Sequence, residues 1–260
     1  MAANTAQQQT VLSAQEPKSS STQQTGRGAE SRKPKLAAQK PKGKNAPVRL
    51  VKTKLRGWIH AVTTPLALAN GVTLIALAPG AALKWAAAIY MACAIILFGI
   101  SATYHIGPWS PKVRQFFKRM DHANIYLLIA GTYTPLTVAG LSGTARVVCL
   151  ATVWICAIAG GTMEVLWLNA PRVLRVVTYA LVGWVAIWFI PQFWHNCGPA
   201  VVWLLLAGGL CYSVGAVFYA IKKPNPWPCY FGFHEFFHTG TVLGYACHAV
   251  ATWLAVMAWA

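Results

Sequence analysis

Seven apolar stretches, each near twenty residues long, constrain this chain more than anything else in it. About 20 residues of helix cross the ~30 Å hydrocarbon core of a bilayer. The stretches 58–78, 83–105, 120–139, 145–168, 174–191, 199–221 and 234–257 are of that order. Turn-forming groups divide them, among them Ala78-Pro79-Gly80, Gly107-Pro108, Leu141-Ser142-Gly143, Asn169-Ala170-Pro171, Cys197-Gly198-Pro199 and Pro224-Asn225-Pro226. The links are short, so successive helices should be antiparallel neighbours. The segments are continuously apolar and lack the period-two alternation of a lipid-facing strand, which excludes a β-barrel. With 56% hydrophobic and 10% charged residues, the composition is that of a polytopic membrane protein. The expected fold is an all-α, seven-transmembrane helix bundle, with small residues such as Gly160-Gly161, Gly208-Gly209 and Gly215 allowing close packing.

Charge sets the orientation. Twelve of the 22 Lys and Arg precede residue 57, in a segment rich in Gln, Ser, Ala, Lys and Pro that has no aromatic residue and no apolar periodicity. Residues 1–56 therefore read as a disordered basic tail and 57–260 as the transmembrane domain. The tail lacks the motifs and interleaved aromatics of a nucleic-acid binder, and it stands directly before an apolar helix. Membrane lipids are its expected partner, and nucleic acid is not. The first 30 residues contain no apolar core of a cleavable signal peptide, so the first helix is expected to serve as the insertion signal. Counted on alternate sides, the tail-side connections also hold Lys112, Arg114, Lys118, Arg119, Arg172, Arg175, Lys222 and Lys223; the other side holds only Lys84 and Arg146. The positive-inside rule then places the amino terminus in the cytoplasm and the carboxyl terminus outside, at the plasma membrane.

The seven cysteines show no CxxC spacing and read as small buried residues, not as a disulfide framework. Trp58, Trp109, Trp167, Trp194 and Trp227 stand near segment ends as an interface belt.

Against this apolar background, ionisable residues inside the spans are costly and mark function. His234-Glu235-Phe236-Phe237-His238 places two imidazoles on one helix face, about 6 Å apart along the axis, close enough to hold one metal ion. The topology adds two residues at the same depth. His105 ends the second helix at its cytoplasmic mouth, and Asp121 begins the third across a basic loop. His105, His234 and His238 are therefore the expected metal ligands, with zinc the expected ion and its fourth tetrahedral position left for water. Asp121 is the expected general base, and Ser101, one turn before His105, is expected to hold the substrate oxygen or orient a ligand. Asp121 has an alternative as a helix N-cap, and Ser101 as a hydroxyl bonded to its own helix.

Other polar residues draw plainer readings. His60 is either a group supporting the ligands or a tail-side interfacial residue. His248, fourteen residues beyond His234 and so roughly 21 Å deeper, cannot share the ion and should be a buried hydrogen-bonded group. His122 on another face and His195 in an outer loop read as structural, and Glu164 as interfacial. The string His-Glu-x-x-His also matches zinc metalloproteases with Glu235 as base. Glu235 has an alternative as partner to Lys222 or Lys223.

The motifs Ser101-Ala102-Thr103-Tyr104-His105, Asp121 through Pro135, and His234 through His238 with His248 together resemble the bacterial hemolysin III family. The wider group is that of the progestin and adipoQ receptors, in a superfamily with alkaline ceramidases. The resemblance covers residues 56–259. It implies a seven-helix bundle with zinc on His105, His234 and His238, and with Asp121 and Ser101 near its water. One departure stands out: relatives carry an acidic residue, an Asn and a Ser or Thr before the first-helix histidine, where this chain has Lys54-Leu55-Arg56-Gly57-Trp58-Ile59.

Three functions follow as expectations. The first is a zinc-dependent hydrolase of lipid amides or esters, acting in membrane lipid homeostasis. The second is a sensor or receptor whose zinc ties helices together. The third is the cytolytic or pore-forming activity that the family name implies.

Overall fold

The computed structural model describes residues 53–259 other than 168 and 228. Most of the expected basic tail, residues 1–52, lies outside the described residues. The described chain is helical, its only β-pairing an isolated bridge between Trp227 and Phe231. The order is α1 (Trp58–Leu77), α2 (Gly80–Ile106), α3 (Pro111–Gly140), α4 (Gly143–Leu166), α5 (Arg172–Gly183), a 3-10 helix (Trp184–Phe189), α6 (Ile190–Cys197), α7 (Pro199–Ile221) and α8 (Phe233–Met257).

Six helical stretches among the described residues are long and apolar enough to cross a membrane: α1, α2, α4, the joined run Arg172–Cys197, α7 and α8. Their outward side chains are apolar, as Val62, Leu66, Trp85, Ile155, Leu181 and Trp188 show by their exposure. Such a surface suits lipid and not water. The chain is a multi-pass membrane protein.

α3, which contains the expected span 120–139, is too polar to join the six. The cause is its position: α2, α4, α5 and α8 surround it, so its polar residues face protein. Asn124, Thr132, Thr134 and Thr137 are all buried. Thr132 and Thr134 donate to the carbonyls of Leu128 and Ala130, both at 2.8 Å, which satisfies their hydroxyls within the helix.

Two boundaries differ from the sequence reading. The basic stretch expected as a loop between the second and third helices forms the first turns of α3, because Pro111 fits the first helical turn and no breaker follows until Pro135. Asp121 is thus well inside α3 and is not its N-cap. Pro191 likewise does not end the fifth span, since it lies in the first turn of α6, where its missing N–H is no loss. His195 consequently sits on a helix, not in a loop.

Close packing is most marked between α7 and α8. A side-chain carbon on Gly240 would lie 2.8 Å from the Cys211 carbonyl oxygen and 2.9 Å from Gly215 Cα, so the two backbones touch. All seven cysteines are free; Cys93 and Cys149 are buried, and Cys229 is exposed.

Candidate metal centre

Three helices supply the site. α2 ends at Ile106 and presents His105 from its last turn, while α8 presents His234 and His238 from its first two turns. The four-residue spacing stacks the latter two imidazoles on one face. His105 Nε2 and His234 Nε2 lie 3.2 Å apart, and one ring nitrogen from each of His105, His234 and His238 falls within 4.8 Å of the others. The cluster is buried, with His105 and His238 almost wholly enclosed. It is a group able to hold a metal ion.

Asp121 from α3 approaches the same point, its Oδ2 3.6 Å from His105 Nε2. Ser101, buried one turn before His105, shares a cavity wall with Asp121, His234 and His238. The structure therefore brings together all five residues expected at the site, from three segments distant in sequence.

His60 belongs here too. Its ring is buried and lies parallel to that of His238, with centroids 3.9 Å apart and planes 2° from coplanar. The interfacial reading of His60 is thus corrected, since the ring stacks inside the bundle and also meets the edge of Phe98 at 5.1 Å. The preceding turn is equally close: Gly57, at φ +93°, carries a hydrogen where a side-chain carbon would sit 2.7 Å from His105 Cβ. A positive φ and this approach both require glycine there.

Glu235 bonds to none of these histidines among the described residues. Its partners are not Lys222 and Lys223 but the chain entering α1. Thr53 Oγ1 donates to Oε1, Arg56 Nε lies 3.3 Å from the same oxygen, and the N–H of Gly232 donates to Oε2 at 2.8 Å. With both oxygens engaged, this fully buried carboxylate caps α8 and ties it to residues 53–56. Those residues also pair with the loop before α8, through Lys54 N to Cys229 O at 3.0 Å. Glu164, expected at the interface, is buried and held by Arg175 at 3.0 Å and by the Tyr179 hydroxyl at 3.2 Å.

His248 is half-buried, with Nε2 3.1 Å from the Leu205 carbonyl oxygen. His122 bridges two elements, its Nδ1 2.7 Å from the Lys118 carbonyl oxygen and its Nε2 3.2 Å from the Tyr219 hydroxyl. Tyr219 is the residue sequence reasoning missed. From α7 it meets the ring of His234 at 6.0 Å, and the Arg172 guanidinium stands 4.6 Å above its own ring. No motif marks it, because an aromatic residue near a helix end looks like any interface residue.

The cluster lies between two kinds of space. On one side a polar cavity of about 400 Å³ is lined by His105, His234, Asp121, Tyr219 and basic residues. On the other, a small cavity of about 30 Å³ holding His60, Ser101 and His238 in its wall adjoins an apolar one of about 90 Å³ between α3, α5, α7 and α8. Leu97, Ile125 and Phe237 line both of these inner cavities.

Comparison with known proteins agrees with the motifs. The chain is 39% identical to Hemolysin-3 of Bacillus cereus over 113 residues, 44% of this chain and 52% of that protein. It is 33% identical to a Hemolysin-3 homolog of Bacillus subtilis (strain 168) over 129 residues, 50% of this chain and 61% of the relative. The matched stretches thus span between about half and three fifths of the two Bacillus relatives. Similarity of 27% over 186 residues, 65% of this chain and 80% of the relative, links it to the heptahelical transmembrane protein ADIPOR2 of Oryza sativa subsp. japonica. The family profile described as Haemolysin-III related matches residues 48–249, and the chain belongs to that family.

Proposed function

We propose that the chain is a zinc-dependent hydrolase of lipid amide or ester bonds, working at the cytoplasmic leaflet in membrane lipid homeostasis. The observation that carries this reading is the buried three-histidine cluster set between a polar cavity and an apolar one, with a carboxylate beside it. An amphiphile needs both environments at once.

Zinc suits the donors. Neutral imidazoles are borderline ligands for it, and zinc–nitrogen bonds of 2.0–2.1 Å in a tetrahedron separate two ligand nitrogens by about 3.3 Å. The 3.2 Å between the ring nitrogens of His105 and His234 is close to that edge. Held there by His105, His234 and His238, zinc would supply Lewis acidity toward a substrate carbonyl and make nearby water more acidic. The chain's residues do the rest. Asp121 accepts the proton from the attacking water and later returns it to the leaving group. Ser101 Oγ–H donates to the substrate oxygen. His60, stacked on His238, fixes that ring's plane without occupying a ligand position.

The orientation follows from charge. α3 serves as the seventh span, shielded by its neighbours, with the amino terminus cytoplasmic and the carboxyl terminus outside. Twenty of the 22 Lys and Arg then fall on the cytoplasmic side.

A second reading, zinc as a structural tie in a sensor or receptor, is favoured by one observation: the ligands join α2 to the first turns of α8, beside the Glu235 clamp. The Asp121→Asn variant separates the two. With metal content unchanged, hydrolysis of a panel of lipid amides and esters by purified protein should fall by about 10²- to 10⁴-fold. No hydrolysis by the wild type, together with metal-dependent thermal stability, would leave the tie as the surviving reading.

A further inference from the structure

We propose that the polar cavity is a phosphate-binding vestibule, so that the lipid reaching the histidines carries an anionic phosphate headgroup. The inference rests on the reading that this site takes an amphiphile, and it specifies which end of that amphiphile enters where.

Five basic side chains line the cavity: Arg56, Arg114, Lys118, Arg172 and Arg175. They come from the turn before α1, from α3 and from α5, so the fold gathers cations from three separate segments around one space. Two of them already balance buried carboxylates, Arg56 with Glu235 and Arg175 with Glu164. Asp121, the carboxylate in the cavity wall, offsets one further cation, since His105 as a neutral metal ligand carries no charge to match it. For Arg114, Lys118 and Arg172, no carboxylate among the described residues lies within 4.0 Å. Less the charge of Asp121, the surplus is about two positive charges around about 400 Å³. Like charges converge in this way at a site whose usual occupant is an anion.

Phosphate fits this surplus better than carboxylate. A single carboxylate would offset one charge of the two, whereas a phosphate brings up to two charges and several acceptor oxygens. Guanidinium groups bind such oxygens through paired N–H donors. Arg172 is already positioned, with Nη1 donating to the Tyr219 carbonyl oxygen at 3.1 Å and its plane over the Tyr219 ring. The inner end of the vestibule is walled by His234, Asp121, His122 and Tyr219, which also line the small cavity beyond. A headgroup seated among the cations would therefore leave its acyl linkage directed at the histidine cluster and its chain toward the apolar cavity.

Titration calorimetry on the full chain in a maltoside detergent, which contains no phosphate, tests this with three probes: inorganic phosphate, dihexanoyl phosphatidic acid and hexanoate. Dihexanoyl phosphatidic acid should bind, and at least about tenfold more tightly than inorganic phosphate; a tenfold gap corresponds to 1.4 kcal/mol. Equal affinity for the two would still support a phosphate site, but would name a soluble phosphate as its ligand. The variant R114Q/K118Q changes two exposed positions and should fold normally; it should weaken both phosphate probes about tenfold or more. R172Q should weaken them further. Hexanoate binding as tightly as dihexanoyl phosphatidic acid, phosphate affinities unchanged in R114Q/K118Q, or no binding of either phosphate probe would each overturn the proposal. Repeating the titration on Asp121→Asn separates this from the hydrolase reading: phosphate binding retained by a chain whose wild type cleaves nothing removes the hydrolase and keeps the vestibule.

Discussion

At the end of the bundle where α1 turns into α2 and α3 into α4, polar side chains close off helix ends. Lys84 Nζ donates to the Ala76 carbonyl at 3.3 Å, Arg146 Nε to Leu141 at 2.7 Å, Asn196 Nδ2 to Gly140 at 2.8 Å and Trp259 Nε1 to Ala139 at 2.9 Å. Each of these donors meets a carbonyl that its helix leaves without an intrahelical partner, or one close to it. At the opposite end, Asp121, His60, His105, His234 and His238 face one another across shared space. The first arrangement is complete as it stands. The second has its donors and acceptors aimed at an interior point, which is what a bound ion or ligand requires. Burial is costly to polar groups at both ends, so the contrast separates residues that hold the fold from residues kept for chemistry.

The strongest test of that contrast replaces a ligand. His238→Ala should weaken zinc binding by more than about 100-fold, a larger loss than removal of an outer-shell partner brings, as read by competition with a chromogenic chelator. His248→Ala, on the same helix but bonded to the Leu205 carbonyl, should leave zinc affinity as it was. Equal losses in both would erase the distinction between the two halves of α8.

A middle-sized effect belongs to the carboxylate that looks catalytic in the sequence. Glu235→Gln should lower stability by about 2 kcal/mol, because Arg56 and Thr53 lose a charged acceptor inside the fold, while zinc content stays full. Thermal unfolding with metal analysis on the same sample checks it. A variant as stable as the wild type but without activity would instead favour the metalloprotease reading of His-Glu-x-x-His.

The smallest effect is expected at the far end. Arg146→Gln removes one hydrogen bond to Leu141 and should cost about 1 kcal/mol with no change in zinc content. A loss of metal there would mean that the two ends are coupled.

Much of this was legible in the sequence, for physical reasons that can be named. Continuous apolar runs disclose membrane helices because lipid demands them, and a four-residue histidine spacing discloses a shared face because the helix period is fixed. What depends on contacts between distant segments was not legible. Arg56 meets Glu235 across 179 positions of sequence, and nothing in either neighbourhood announces the pair. His60 read equally as a group supporting the ligands or as an interfacial residue, because its flanks are those of a helix end, and only the packing of α1 on α8 places its ring on His238. The basic run before Asp121 looked like a loop from its charge, although its residues are good helix formers after a proline. The polarity of α3 carried the opposite lesson, since a helix enclosed by other helices need not be apolar.

The contact of Gly240 with Gly215 has a consequence for traffic. Where two backbones meet with no side chain between them, the seam is narrower than a methylene chain, so a lipid tail cannot slip from the bilayer into the bundle between α7 and α8. Tyr219 and His234 lie one to two turns from that seam, on the two helices that it joins. On the proposed function, a tail bound for the apolar cavity would have to part a different pair of helices. The wall that includes Ala180, Gly183 and Trp184 is the one where the helical winding itself changes, from α to 3-10, within a single crossing.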